Sequence, residues 1–231
     1  MDKLKRIIIP LLFFLCLHFS EAQSLHIGKN IEAQISSEYN RSLGIYADIG
    51  ITGTITVNDR WFLKAGTAFG KTEYDYDIKA FANTGMQVFR NFPLILSCAY
   101  IYSNLPEYEV VSHTVMPLIA INGKRAGYAT GVSFRYTSFF GEQAVLEPVP
   151  MLSLYLNFIN NDKLMLGMRC ANFSDFYAAN LGALSMSFYS EINMNKQWTI
   201  MAAMELLQSG SFTFTANFYG LILRGGLRYS W

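Results

Sequence analysis

Apolar and polar side chains alternate along most of this chain, and this period of two restricts the fold more than any other feature of the sequence. Ile45, Ile49 and Val57, for example, occupy odd positions, whereas Asp48 and Thr56 occupy even ones. Successive side chains of a β-strand point to opposite faces, so the pattern is typical of a strand with one apolar and one polar face. It recurs throughout the chain and predicts an all-β protein.

The connections between the alternating segments follow a regular rhythm. Short Asn-containing turns, such as 58–59, 160–163 and 193–196, alternate with longer loops, among them those around Asn40 and Asp175. Asn tolerates left-handed backbone conformations and therefore suits tight hairpin turns. An antiparallel up-and-down transmembrane β-barrel, with short turns at one end and long loops at the other, accounts for this rhythm. The predicted strands span residues 27–37, 43–57, 60–70, 76–89, 94–103, 110–121, 125–138, 149–159, 164–172, 181–192, 197–208 and 212–231.

Three segments leave the strand count open. Pro117 weakens the sixth strand, because proline cannot donate a hydrogen bond to the ladder and a closed barrel has no edge to hold it. The last segment is long and changes phase near Gly220, which predicts a bulge. Residues 197–208, taken alone, are also compatible with a helix. We therefore predict about 12 strands, with about 10 or 14 as the alternatives.

The N-terminus is typical of a secretory signal peptide. A basic region, a short apolar stretch and a small-x-small cleavage site occupy residues 1–6, 7–19 and 20–22. A single anchoring helix is the alternative, but the apolar stretch contains Pro10 and ends at the cleavage site. We therefore predict a signal peptide at 1–22 and a barrel domain at 23–231.

The composition shows that the apolar face is unusually large. Hydrophobic residues make up 52% of the chain and charged residues only 15%, against about 25% charged residues in soluble domains. Beyond residue 22, no apolar run reaches the roughly 18 residues of a membrane-spanning helix. After removal of residues 1–22, 15 basic and 15 acidic residues remain, a balance that argues against a nucleic-acid partner.

Aromatic residues indicate what the apolar face meets. A soluble barrel turns this face inward and a membrane barrel turns it outward, and both produce the same alternation. Trp61, Phe158, Trp198 and Trp231 share the apolar phase and lie at the short-turn end or at the C-terminus. Such aromatic girdles mark membrane interfaces. From Trp61 to Phe69 a tilted strand rises about 20 Å, close to the apolar band of a membrane barrel, so we predict that the apolar face meets lipid.

The C-terminal strand carries the same alternation to its end. Leu227, Tyr229 and Trp231 share one phase, and Arg224 and Arg228 take the other. In this respect the chain resembles bacterial outer-membrane β-barrel proteins of the small porin-like class, whose last strand ends in an aromatic residue. The resemblance implies residence in the outer membrane of a Gram-negative cell, in contact with outer-membrane lipid. It also implies delivery by periplasmic chaperones and recognition of Leu227, Tyr229 and Trp231 by the outer-membrane barrel assembly machinery.

If the apolar phase faces lipid, charged residues of the other phase face the lumen. We assign eight charged residues of the predicted strands to this phase. Six of the eight are basic, which favours a small channel for polar or anionic solutes. Alternatively, the charges pair with one another and fill the barrel, leaving a structural or surface-interaction protein with an occluded lumen whose outer loops, especially 139–150, contact partners. The eight residues are Asp48, Lys64, Lys79, Arg135, Arg169, Glu205, Arg224 and Arg228.

The sequence offers little support for catalysis. Only His26 and His113 remain after removal of the signal peptide, and a serine nucleophile needs a histidine beside it to take its proton. Ser112 and Thr114 flank His113 but point to the opposite face of an extended strand. We therefore expect no enzyme, no metal and no cofactor, and an outer-membrane lipid hydrolase is the less favoured alternative. Asp75 and Asp77, at the tip of a predicted loop, could meet as a carboxylate pair, but we expect them to form a solvated face or a weak cation site.

Overall fold

A computed structural model describes residues 29–40, 44–57, 60–71, 76–140, 145–178, 183–211 and 218–231. Within these ranges, 12 antiparallel strands close into a barrel, and a two-stranded hairpin forms a separate small sheet. The barrel strands are β1 Asn30–Asn40, β2 Gly44–Val57, β3 Trp61–Lys71, β4 Tyr76–Phe89, β5 Phe92–Leu105, β6 Val110–Asn122, β7 Ala126–Phe139, β8 Val145–Asn160, β9 Leu164–Ala171, β12 Ala183–Asn193, β13 Trp198–Ser211 and β14 Phe218–Ser230. The hairpin strands are β10 Phe173–Ser174 and β11 Tyr177–Ala178, and a 3₁₀ helix spans Pro106–Tyr108.

The prediction of an all-β up-and-down barrel of about 12 strands is confirmed. Each barrel strand pairs with the next one along the chain, and β1 pairs with β14 to close the barrel, with Asn30 opposite Ser230. Residues 197–208, which alone were compatible with a helix, lie in strand β13. The predicted signal peptide, 1–22, lies outside the described residues. No helix in the described part of the chain is long and apolar enough to cross a bilayer.

Both irregular strands are accommodated in the closed sheet. The pairing of β6 with β7 lapses at Met116 and Pro117 and resumes in the same register at Leu118. Because a proline lacks the N–H donor, the ladder loses a bond there without losing its alignment. In β14, the register with β13 shifts beside Gly220, so the predicted bulge is present and explains the change of phase.

The two faces of the barrel differ in polarity. Outward-facing Ile35 and Ile45 are 63% and 68% exposed, whereas inward-facing Ser36 and Thr52 are 3% and 5% exposed. A soluble protein buries its aliphatic side chains and exposes its polar ones. The reverse arrangement, with apolar side chains outside and polar ones inside, is that of a barrel whose surroundings are lipid.

Asparagines lie in the short turns, as the sequence predicts, but they act through side-chain hydrogen bonds and not through a left-handed backbone, since Asn161 and Asn195 have negative φ angles. Asn161 Oδ1 accepts hydrogen bonds from the backbone N–H groups of Lys163 and Leu164 at 3.0 and 2.9 Å. Asn195 Oδ1 accepts equivalent bonds from Gln197 and Trp198, both at 2.8 Å. These bonds hold each turn closed, so the flanking strands pair close to their ends.

Candidate functional site

The connection around Asp175, predicted as one of the longer loops, enters the barrel. Residues 172–178 form the hairpin β10–β11, which we call the inner hairpin. Phe173 and Phe176 pack against apolar side chains of the barrel wall, and the rings of Phe176 and Phe81 lie 5.8 Å apart. The predicted long connection is present, but its course into the barrel was not predicted: aromatic side chains of the hairpin pack on an apolar surface inside the barrel.

Polar contacts fix both ends of the inner hairpin. At its start, Asn172 is almost fully buried, accepts a hydrogen bond from Leu152 N and donates one to Pro150 O, both at 2.8 Å. Arg169 Nη2 donates to Phe173 O at 3.0 Å. At its end, Arg135 Nη2 donates to the carbonyl oxygen of Ala178. These bonds join the hairpin to three barrel strands.

An ion pair joins the tip of the inner hairpin to the wall. Lys64 Nζ on β3 and Asp175 Oδ2 lie 2.5 Å apart. The two residues are 111 positions apart in the chain, so the pair ties the hairpin to the distant half of the sheet. Since both side chains are partly exposed to the lumen, the pair also places charge beside the part of the lumen that the inner hairpin leaves open.

The remaining lumen charges form a network of pairs. Arg224 Nη1 lies 2.5 Å from Glu205 Oε2, and Lys79 Nζ lies 2.7 Å from Asp77 Oδ2. Arg228 contacts two carboxylates: its Nη1 is 2.7 Å from Glu191 Oε2 and its Nε is 3.2 Å from Glu32 Oε2. Ion pairing of this kind offsets the cost of placing charges in a confined lumen.

The structure places all eight predicted lumen charges inside the barrel. Six of them line the cavity described below, Glu205 pairs with Arg224, and Arg135 donates from Nε to the inward-facing Thr114 at 3.3 Å. Arg135 and Arg169 hold the inner hairpin, a role that the sequence did not indicate. Sequence reasoning also missed five acidic residues inside the barrel: Glu32, Glu38, Asp77, Asp175 and Glu191.

These acids change the expected charge of the lumen. With them, the described lumen charges are six basic and seven acidic, so the predominantly basic lining expected from the sequence is not what the structure has. Glu32 and Glu191 occupy the polar phase of their strands, so the alternation in the sequence does indicate that their side chains face the lumen. Asp77, expected to be solvated, is buried in β4 and accepts hydrogen bonds from Ser103 and Tyr46 at 3.0 and 3.3 Å.

A cavity of about 930 Å³ lies beside the inner hairpin. Four successive inward-facing residues of β1 line it, from Glu32 near the short-turn end to Glu38 near the other end. The hairpin contributes residues 173–177 to its wall. The hairpin therefore narrows the lumen but leaves space along β1 for much of the height of the barrel.

Two inward-facing glycines are each covered by a tyrosine ring of the adjacent strand. Gly127 pairs with Tyr155 and Gly167 pairs with Tyr189. A Cβ atom at Gly127 would lie 2.4 Å from the ring of Tyr155, and one at Gly167 would lie 2.6 Å from that of Tyr189. Glycine at these positions lets each ring lie flat on the sheet, where the rings line the cavity.

The predicted girdle residues lie on the outer face. Trp61, Trp198, Trp231 and Phe158 are all exposed. The ring centroids of Trp198 and Tyr229 are 4.9 Å apart, and those of Tyr229 and Trp231 are 5.8 Å apart. Trp231 N also donates to Lys29 O at 3.0 Å, so the C-terminus is joined to the start of β1.

His113 faces outward within a cluster of tyrosines. Its Nδ1 lies 2.7 Å from Tyr100 Oη, and its ring contacts those of Tyr102 and Tyr136. Thr114, the next residue, is buried on the inner face. The alternation of the strand thus separates His113 from its neighbouring hydroxyl groups, as the sequence predicts.

Comparison with solved structures identifies the architecture. The KdgM porin in complex with disordered oligogalacturonate is 7% identical, with 87% of this chain and 99% of that chain covered and a TM-score of 0.58. An outer membrane channel from Pseudomonas putida F1 is 8% identical, with 91% and 98% covered and a TM-score of 0.56. The translocator domain of the autotransporter NalP from Neisseria meningitidis is 12% identical, with 97% and 95% covered and a TM-score of 0.52.

The chain has the fold of outer-membrane β-barrels. No protein-family model matches the sequence, and no curated protein matches it. The similarity to the porins, the channel and the autotransporter domain therefore establishes the architecture alone. Because one fold serves many functions, the function of this protein has to be inferred from its own side chains.

Proposed function

We propose that this protein is an outer-membrane channel of narrow bore, through which small polar solutes pass beside the inner hairpin. The observation that carries the proposal is the cavity along β1, which follows the inward-facing residues from Glu32 to Glu38. A barrel of about 12 strands is intermediate between filled eight-stranded barrels and wide porins. The inner hairpin occupies part of this intermediate width, and the polar wall along β1 is suited to hydrated solutes.

The paired charges favour weak selection by charge. Arg224, Arg228 and Lys79 each have a carboxylate partner within 3.2 Å, so neither sign of charge dominates the wall. We therefore propose a channel for polar solutes rather than one dedicated to anions. Its placement in the outer membrane is supported by the outward apolar face and by the shared fold.

The second candidate is an occluded barrel with a structural or surface-interaction role. Its supporting observation is the number of bonds that hold the inner hairpin, including those from Arg135, Arg169 and Lys64. If the hairpin closes the lumen completely, the outer loops would be the part that contacts partners.

Single-channel recording distinguishes the two candidates. We expect the purified protein in planar bilayers to give small, discrete and reproducible conductance steps. Phe176→Ser removes an apolar contact of the inner hairpin and should enlarge the steps or make them fluctuate. Tyr108→Ser, which removes an exposed aromatic ring of the 3₁₀ helix, should leave them unchanged. A folded wild-type protein without conductance would reject the channel and support the occluded barrel.

A further inference from the structure

Two further aromatic rings in the cavity wall lie against glycines, as the two tyrosine rings of β8 and β12 do. The ring of Phe62 on β3 covers Gly85 on β4, and that of Tyr46 on β2 covers Gly70 on β3. A Cβ atom at either glycine would lie no more than 2.7 Å from the ring. All four rings are half-buried and line the cavity. Glycine therefore lets an aromatic ring lie against the wall in four places.

These rings lie on both sides of the cavity. Phe62 is the second residue of β3, and Tyr155 and Tyr189 lie five and four residues before the ends of their strands, so all three are near the short turns. In the closed strand order, β3 stands five strands from both β8 and β12, which places Phe62 across the barrel from the two tyrosines. Tyr46 lies at the long-loop end of the same cavity. A solute that crosses the cavity therefore passes aromatic rings at both ends.

The hydroxyl groups of Tyr155 and Tyr189 are bound to the wall. Tyr155 Oη donates to Gly123 O at 2.8 Å, and Tyr189 Oη donates to Asn157 Oδ1. One side of each ring lies against its glycine, so the part that faces the lumen is largely the opposite side of the ring. Such a ring face is apolar, and its contact with water costs free energy that an apolar group of a solute recovers by covering it.

Polar groups beside these rings have capacity for further hydrogen bonds. Glu191 lies two residues from Tyr189 on the same face of β12, and its Oε2 and Oε1 lie 2.7 and 3.2 Å from Nη1 and Nη2 of Arg228. Each carboxylate oxygen has a second lone pair, and the guanidinium has N–H groups beyond the three that contact Glu191 and Glu32. Because the charges are already paired, an ionic solute has to compete with an existing pair, whereas a hydroxyl group adds a bond to it.

We propose that the solutes of this channel include neutral ring sugars, with hexopyranoses as the smallest members. A pyranose carries C–H groups on its faces and hydroxyl groups around its edge, so it matches an aromatic ring that lies beside paired charges. Its face lies against Tyr189, Tyr155 or Phe62, and its hydroxyl groups bond to Glu191 and Arg228. This assignment rests on the proposed channel function and names the solute class that the cavity wall selects.

The test compares D-glucose with sorbitol, its open-chain reduced form. Both are neutral and similar in size, but only the closed ring has a fixed apolar face. In proteoliposomes, at concentrations far below saturation, radiolabelled glucose should enter faster than sorbitol after subtraction of the rates for empty liposomes. Tyr189→Leu removes the ring, keeps an apolar side chain and should bring the ratio of the two rates close to one.

Three further variants show whether the ring itself is responsible. Tyr189→Phe keeps the ring and should preserve the ratio. Tyr136→Leu removes an exposed tyrosine ring of the outer face and should preserve it too. Phe62→Leu removes a ring on the other side of the cavity and should lower the ratio, so the test does not depend on one variant. Heat-modifiable mobility on gels identifies the variants that are folded.

A binding measurement separates this proposal from the channel proposal. Saturation-transfer NMR of the protein in lipid nanodiscs should show more transfer to glucose than to sorbitol, and Tyr189→Leu should raise the dissociation constant for glucose about fivefold, as expected for the loss of one ring contact. If the protein conducts but treats glucose and sorbitol alike, or if neither leucine variant has an effect, the sugar proposal is wrong and the channel stands. If the protein is silent but the transfer to glucose depends on Tyr189, the sugar site stands and the channel is wrong. A silent protein without such transfer would reject both.

Discussion

At the scale of single residues, a tyrosine ring covers each of two glycines that face the lumen, Gly127 and Gly167. Tyr155 Oη donates to Gly123 O at 2.8 Å, which fixes the ring over Gly127. Because the bond limits how far the ring moves, a methyl group at position 127 has to displace it. We expect Gly127→Ala to lower the free energy of unfolding by about 1–3 kcal/mol, the range for overpacking, measured by urea unfolding in detergent.

Gly225 supplies the control for this prediction. A Cβ atom built at Gly225 meets no atom within 4 Å, so Gly225→Ala replaces the same residue type in another strand of the same sheet without overpacking. Its free energy of unfolding should match or slightly exceed that of the wild type, since alanine restricts the unfolded chain. Equal destabilisation by both variants would contradict the role of the Tyr155 ring.

The sequence predicts which face a charged residue occupies but not which partner it has. Lys64 and Arg169 have the polar phase and lie inside the barrel, as expected. Their contacts with Asp175 and Phe173 depend on how the chain folds between 172 and 178, which no local periodicity describes. The alternation also includes Glu32 and Glu191, so the phase of the strands also indicates these two acidic residues of the lumen.

At the scale of elements, the barrel strands were predictable because each is specified by its own residues and by the turns beside it. Alternation sets the faces, and asparagines such as Asn161 and Asn195 mark the ends. The inner hairpin is different. Its position depends on a complementary apolar surface formed by β4, β5, β6 and β8, most of it far away in sequence, so the segment resembled an ordinary long loop.

Arg135 and Arg169 hold the inner hairpin, and we expect their main effect to be a restriction of its motion. Arg169→Gln removes a charge-assisted bond to Phe173 O, and such bonds are worth about 1.5–3 kcal/mol. In a background with Cys98 and Cys170 replaced by alanine, Ser174→Cys should then react about tenfold faster with a water-soluble thiol reagent. Arg90→Gln, at an exposed turn outside the lumen, should leave the reaction rate as it was. Unchanged reactivity in Arg169→Gln would show that the apolar contacts alone hold the hairpin.

The last strand offers a test of assembly that is separate from folding. Trp231 is 56% exposed and stacks on Tyr229, while its backbone N–H joins Lys29 O. Trp231→Ser keeps the backbone bond, so refolding in detergent should be unchanged. If the aromatic terminus is the signal for the assembly machinery, the amount of folded protein in the outer membrane of cells should fall severalfold. Trp61→Ser, an equally outward girdle residue, is the control and should assemble normally.

At the scale of the whole molecule, polarity is inverted relative to a soluble protein, and this inversion accounts for the composition. The chain has 52% hydrophobic residues, and in its described part the large hydrophobic side chains that are exposed outnumber the buried hydrophobic residues. The apolar side chains are spread over the outside of the barrel. Inside it, one apolar cluster is partly covered by the inner hairpin, and Leu207 and Ile222 are buried on the other side of the lumen. The position of this cluster cannot be deduced from alternation within single strands, because it depends on which strands the closed barrel brings together.

The depth of the tryptophans provides a test of how the whole barrel sits in a membrane. The chain has three tryptophans, and all three lie on the outer face, at the short-turn end of β3 and β13 and at the C-terminus. Because they share one level, their fluorescence should report a single depth near the interface. We expect lipids brominated close to the head group to quench the purified, reconstituted protein more strongly than lipids brominated near the chain ends. Stronger quenching by lipids brominated near the chain ends would place the tryptophans near the bilayer centre and contradict a girdle at the interface. Absence of quenching by either lipid would contradict a lipid-facing outer surface.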